Sequence, residues 1–170
     1  MSNQRFISTF AGTLDGKGRV CIPASWRTIL ATQETGGVYI RPTLEGECLD
    51  GFGQAQMDVE CAWLDQLDPV DSPLYEQLAA HITGDATLLP IDENGRVRLP
   101  EDLIAGMGLK EKVIFVGLGR KFQVWDPEAY QAVKAKRMEV AKAERAARAA
   151  KEMAERIPGF VPPAPETGTP

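Results

Sequence analysis

A chain of 170 residues with 44% hydrophobic and 25% charged residues is long enough for one ordinary domain or for two small ones sharing a core. No apolar run approaches the roughly eighteen residues that would cross a bilayer, and the opening Met1 to Ser8 lacks the charged, apolar and small-residue series of an export signal, so the expectation is a cytoplasmic protein with no membrane association. Net charge is −5, which counts against a polyanion binder until its distribution is considered: residues 42–95 hold twelve Asp and Glu and no Lys or Arg, and all nineteen basic residues lie outside that acidic stretch.

The chain opens on a β-rich motif, Leu14-Asp15-Gly-Lys-Gly18-Arg19-Val20-Cys-Ile22-Pro23. Asp15 can accept hydrogen bonds from backbone amides just ahead of it, and Gly18 can take the positive φ that a tight reversal needs, which predicts a strand, a hairpin turn and a second strand. In that second strand Val20 and Ile22 fall on one face and Arg19 and Cys21 on the other, so the apolar pair should enter the core and Arg19 should meet solvent or a partner. Pro23 ends the strand and is pre-set to open a helix over Ala24 to Ala31. Two β runs follow, Val38 to Ile40 and Cys48 to Phe52.

The acidic middle predicts two helices, Gly53 to Gln66 and Pro73 to His81, split by Asp-Pro-Val-Asp-Ser-Pro. The motif then returns at an offset of 77 residues as Ile91-Asp92-Glu-Asn-Gly95-Arg96-Val97-Arg98-Leu99-Pro100. Again a short helix is predicted, Glu101 to Met107, then strands Val113 to Val116 and Phe122 to Trp125. In this copy Val97 and Leu99 point one way and Arg96 and Arg98 the other. Asp126-Pro127 starts an Ala-, Lys-, Glu- and Arg-rich helix running to about Arg156, and the proline-rich end beyond it is expected to be a disordered tail. The divisions expected are 8–52 and 84–127 for the two copies, 53–83 for a helical connector, 128–157 for the terminal helix and 158–170 for the tail.

Catalytic signals are weak. His81 is the lone histidine, and beside Leu78 and Ile82 it reads as a packed or surface residue. Gly106-Met-Gly108 and Gly117-Leu-Gly119 lack the continuation of a phosphate loop. The three cysteines, Cys21, Cys48 and Cys61, never form a C-x-x-C pair and read as reduced core-filling residues, and Trp26, Trp63 and Trp125 as packing anchors. No enzyme, cofactor, metal or small-molecule substrate is expected. A single arginine beside a turn reads most simply as a solvated charge or as the ion-pair partner of its own motif's aspartate. Two of them, at the same place in a repeat, suit the bidentate contact to phosphate or to a guanine edge that a β-ribbon can make in the major groove. The excess positive charge of the terminal helix reads first as a solvated surface.

The paired motifs, Thr13-Leu14-Asp15-Gly-Lys-Gly-Arg19, Arg27 after Pro23, and Val116-Gly117 leading to Phe122-Gln-Val-Trp125-Asp126 resemble the MraZ family of bacterial transcriptional regulators over roughly Phe6 to Tyr130. That resemblance implies an α+β fold, a duplicated swapped-hairpin β-barrel of the AbrB type with helices between the copies and a C-terminal helix. It implies a ring oligomer, an octamer or similar, that binds double-stranded DNA at direct repeats upstream of the division and cell-wall gene cluster that includes its own gene, placing the protein at the nucleoid. The implied DNA contacts map onto Lys17, Arg19 and Arg96. Arg98 joins them from the strand alternation alone, and Arg5 completes the candidate set. Asp15, Gly18, Asp92 and Gly95 shape the turns. An oligomeric protein-binding scaffold or antitoxin-like module on the same fold is the competing reading. Leu74 to Gly84 carries no arginine where the family has several, so no contact is assigned there.

Overall fold

The computed structural model describes residues 5–67, 70, 74–159 and 161. Contacts divide the chain at Tyr130 into an N-terminal unit and a C-terminal one. In the N-terminal unit the elements run β1 (Thr9–Thr13), β2 (Arg19–Cys21), α1 (Ala24–Ala31), β3 (Val38–Pro42), β4 (Leu49–Phe52), α2 (Gln54–Leu64), α3 (Tyr75–Ala79), β5 (Thr87–Leu89), β6 (Arg96–Arg98), α4 (Glu101–Gly106), β7 (Lys112–Gly117) and β8 (Phe122–Trp125). A wide π-type turn, Ala80–Gly84, follows α3. The expected break between the middle helices falls mostly outside the described residues.

Pairing crosses between the two copies throughout. Six strands form an antiparallel sheet in the order β1-β7-β8-β4-β3-β5, and β2 pairs with β6 in a separate two-stranded ribbon. The order reads the same from either end: each copy keeps its own later hairpin, β3 with β4 and β7 with β8, and its first strand adds to the hairpin of the other copy. The two hairpins meet where Asp50 lies opposite Gln123.

Two expectations are corrected by this topology. Neither reversal is a hairpin, because β1 pairs with β7 rather than with β2, and β5 with β3 rather than with β6. The turn redirects the chain from the sheet to the ribbon, and each arm is paired by the other copy. Among the described residues the sheet is open and has β1 and β5 as edges, where a closed barrel was expected. Closure would need those edges to pair, and the strands that follow them in sequence are committed to the ribbon.

The core lies where ribbon, sheet and α1 meet. Val20, Ile22, Val97 and Leu99, the inward residues of the ribbon, are each at most 2% exposed and share one apolar cluster with Leu30, Val38, Ile40, Leu49, Val113, Phe115 and Phe122. Trp26 sits at its centre, 5.6 Å from the ring of Phe6, 5.3 Å from Phe10 and 5.0 Å from Phe122, and its indole N–H donates to the Ile7 carbonyl at 3.1 Å. Pro23 and Pro100 stand just ahead of α1 and α4 with ψ of 137° and 141°, extended backbone from which each helix begins.

Trp26 and Trp125 are anchors as expected, but Trp63 is not. It is 45% exposed on the outer side of α2. Only Cys48 fills core space; Cys21 is exposed, on the outward face of the ribbon, and Cys61 is half-buried. His81 is largely covered, with Nδ1 3.4 Å from the Asp85 carboxylate.

The C-terminal unit is the continuation of α5 (Pro127–Arg156), which opens with the Asp126 carboxylate accepting from the amides of Glu128 and Ala129, each at 3.1 Å. No residue of this helix is buried, and two ion pairs run along its own surface, Lys142 with Glu139 and Arg148 with Glu152. The expected tail lies almost wholly outside the described residues.

Candidate nucleic-acid interface

Each turn is built by its aspartate. Asp15 Oδ1 accepts from the amides of Lys17 and Arg19, both at 2.9 Å, and its Oδ2 accepts from Arg19 Nε at 2.8 Å. Asp92 repeats the pattern, with the Asn94 amide at 2.8 Å, the Arg96 amide at 2.9 Å and Arg96 Nε at 3.0 Å. Gly18 and Gly95 close the turns at φ of +75° and +76°, a conformation that suits a residue without a side chain. A carboxylate that accepts backbone N–H groups is stabilised in its charged form. For Asp15 the largest contribution is the Arg19 amide, opposed by desolvation and reinforced by the Arg19 side chain and the Lys17 amide, and the carboxyl is held below its usual range. The Arg96 amide leads in the same way at Asp92.

The simple reading of the arginines, as partners of their own aspartates, is thus how the free chain holds them. That contact uses Nε. No other hydrogen bond engages the guanidinium of Arg19 or Arg96 among the described residues, which leaves the terminal nitrogens, the pair that makes bidentate contacts, available.

The structure then brings the two motifs together. In the ribbon Arg19 lies opposite Arg98, Val20 opposite Val97 and Cys21 opposite Arg96. Directly opposed residues share a face, so the outward face of this one ribbon presents Arg19, Arg96, Arg98 and Cys21. Cross-bonds lock it: the Ile22 amide donates to Gly95 O at 2.9 Å and the Leu99 amide to Gly18 O at 2.8 Å. Sequence placed the two motifs in separate turns, and the fold joins their second strands in one ribbon. Lys17 is exposed at the tip of the first turn. Arg5 is not brought to the ribbon. It lines a cleft of about 380 Å³ with Arg120, Gln33 and Val59.

Two arginines carry structure that sequence reasoning did not assign. Arg27 on α1 packs its guanidinium against Gly95, under the second turn, with Nε buried and unpartnered among the described residues. Its counterpart at the repeat offset is Ile104, which packs under Gly18. Arg41 in β3 is 4% exposed, pairs with Glu60 of α2 at 2.7 Å, donates to the Ile82 carbonyl at 3.1 Å and lies 4.8 Å from the Phe52 ring centroid. Beside it Asp50 binds Lys121 at 2.7 Å and Gln123 at 3.1 Å. Burial raises the Glu60 carboxyl, but the close Arg41 guanidinium and the hydrogen bond from the Gln56 side chain outweigh it, and the net shift is downward. This network ties α2 and the 80–84 turn to the sheet. A lone cation in a strand of otherwise apolar residues, with only acids in the following segment, was the signal available for it.

Comparison with known proteins bears on the motifs. A family model described as "MraZ protein, putative antitoxin-like" matches residues 82–153. A protein of Rhodospirillum rubrum named transcriptional regulator MraZ is 40% identical over 129 residues, covering 75% of this chain and 83% of that one. The chain belongs to the MraZ family. Other MraZ relatives agree: the transcriptional regulator MraZ of Azorhizobium caulinodans is 42% identical, covering 75% of this chain and 81% of its own, and that of Caulobacter vibrioides is 33% identical, covering 91% and 97%. The match to the last reaches beyond the N-terminal unit and takes in much of α5, so the long helix is within the span over which this chain resembles other MraZ proteins.

Proposed function

We propose that this MraZ-family chain is a sequence-specific DNA-binding transcriptional regulator, a repressor of the division and cell-wall gene cluster that includes its own operon, and that it acts at upstream direct repeats as a ring oligomer. The observation that carries this reading is the register of the ribbon, which gathers Arg19, Arg96 and Arg98 on one exposed face. A two-stranded ribbon fits the major groove, where arginine forks reach guanine edges and lysine reaches phosphate. Relatives named transcriptional regulators support the assignment. Residues 8–52 and 84–127 would then be two AbrB-type domains that exchange their first halves, a reading favoured by pairings in which β1 joins β7 and β5 joins β3. Arg19, Arg96 and Arg98 read bases or phosphate, Lys17 contacts phosphate at the turn tip, and Arg5, in a separate cleft, is the member of the set whose removal should matter least.

No catalysis is assigned, and among the described residues no group of three or more His, Cys, Asp or Glu could hold a metal ion. No helix among them is long and apolar enough to cross a membrane. The competing reading is a protein-binding, antitoxin-like module, which the wording of the family model favours. Binding to duplex DNA from upstream of the chain's own gene, measured across a salt series, separates the two. The wild type should show affinity falling steeply with salt, and Arg19→Ala should lose nearly all binding while its thermal melt stays close to wild type. Equal affinity in Arg19→Ala would sink the DNA reading, and a mass in solution that fits a monomer would sink the ring.

A further inference from the structure

The ribbon has a two-fold pseudo-axis through the Val20–Val97 pair. Its backbone obeys that symmetry, since each strand ends in a bond to the other motif's turn glycine. Its outward side chains do not. Because the Leu99 amide bonds Gly18, the neighbouring Arg98 lies at the end of the ribbon closed by the first turn. That end therefore presents Lys17, Arg19 and Arg98 outward, with Asp15 engaged as the clamp on Arg19. The opposite end presents Arg96 and the neutral Cys21, and its turn carries Glu93 and Asn94 where the first carries Gly16 and Lys17. Of the helices that follow each strand, α1 sets the charged Arg27 against the second turn and α4 sets the apolar Ile104 against the first, while Glu101 and Asp102 are exposed in the first turn of α4.

Like charges set directly opposite on one face repel. Asp15 holds Arg19, but among the described residues Arg98 makes no ion pair. A strand pair that keeps two opposed guanidinium groups on its solvent face is suited to a partner that offers paired hydrogen-bond acceptors, as guanine edges do in the major groove. We propose that the ribbon is a polar reading head whose first-turn end carries most of the DNA contact, and that Arg98 is a specificity-determining residue there, donated by the second motif to the recognition end of the first. This inference rests on the DNA-binding reading above. It gives the two motifs unequal tasks: the second contributes more through Arg98 than through Arg96, the residue that matches Arg19 in the repeat.

The test uses the full chain and duplex DNA from upstream of its own gene, with a randomised duplex pool for preference. Arg98→Thr keeps a strand-forming residue at an exposed position. It should bind roughly tenfold or more weakly and relax the preference at one base position, with no loss of thermal stability. Arg96→Thr should cost less than Arg98→Thr. The double variant Cys21→Arg with Arg98→Thr restores the number of cations but moves the second one to the far end, and it should stay several-fold weaker than wild type. Wild-type affinity in Arg98→Thr, a larger loss in Arg96→Thr, or full recovery in the double variant would each overturn the proposal. Those failures are separate from failure of the DNA reading, which would show as no binding by the wild type or as no effect of Arg19→Ala.

Discussion

The two turns are the most direct comparison the molecule offers. Gly18 and Gly95 differ by one degree in φ, and the three hydrogen bonds of each aspartate differ by at most 0.2 Å. Yet one turn has Gly-Lys between its aspartate and glycine and rests on Ile104, while the other has Glu-Asn there and rests on Arg27. Asp and Gly fix the path of the chain, and the two residues between them, together with the support below, are free to change its electrostatics. Duplication has kept a scaffold and varied what it presents.

Both turns stand on one foundation, and the harshest change to the pair is to remove it. Trp26 is 1% exposed and touches aromatic rings from the N-terminal segment, β1, β7 and β8. Trp26→Ala should cost about 3–5 kcal/mol, the range for truncating a large aromatic in a packed core. Denaturant unfolding gives the magnitude, and amide exchange at Gly18 and Gly95 gives the coupling. Both turns should lose protection together. Loss at one turn alone would mean that the copies are supported separately.

A gentler change separates the supports. A methyl group at Gly18 would come 3.1 Å from Ile104 Cδ1, whereas at Gly95 it would overlap the Arg27 guanidinium. The left-handed backbone alone costs a residue with a side chain about 1–2 kcal/mol, so Gly18→Ala should lose about that much and Gly95→Ala more, because Arg27 must also move. In an Arg27→Ala background the penalty of Gly95→Ala should fall to that of Gly18→Ala. An unchanged penalty would show that Arg27 is not what confines the second turn.

These features differ in how far they can be read from sequence. The alternation of Val20 and Ile22 with Arg19 and Cys21, and the prolines that precede α1 and α4, are local rules, and the structure follows them. What a local rule does not contain is the partner of a strand. A turn flanked by two β runs predicts a hairpin because sequence neighbours usually pair, and here a second copy of the same motif offers each arm an equivalent surface. The meeting of Arg19 with Arg98 depends on that long-range choice, as does the packing of Arg27 under Gly95. Trp63 differs from its expectation for a related reason: a large aromatic side chain marks a candidate anchor, but residue type does not say which side of α2 is covered.

The smallest expected effect tests whether the aspartate clamps are as alike as their geometry. Both carboxyls are held below their usual range, led in each case by the amide of the motif arginine. Each therefore binds a proton less readily in the folded chain than in the unfolded one. A group lowered in this way contributes its stabilisation above the unfolded value of about 4, and that contribution is lost as pH falls through the folded value. Melting temperature measured between about pH 6 and pH 2.5 should decline at the acid end, and Asp15→Asn and Asp92→Asn should each flatten that decline to a similar, small degree, because exposed ion pairs are screened and the gain is mainly the hydrogen bonds to the turn amides. Asparagine keeps an oxygen that can accept from those amides, so both variants should still fold near neutral pH. Flattening by only one of the two would show that the turns, matched in backbone, differ in how much of their stability the carboxylate supplies. The charged Arg27 beneath the second turn is the feature to which that difference would then be traced.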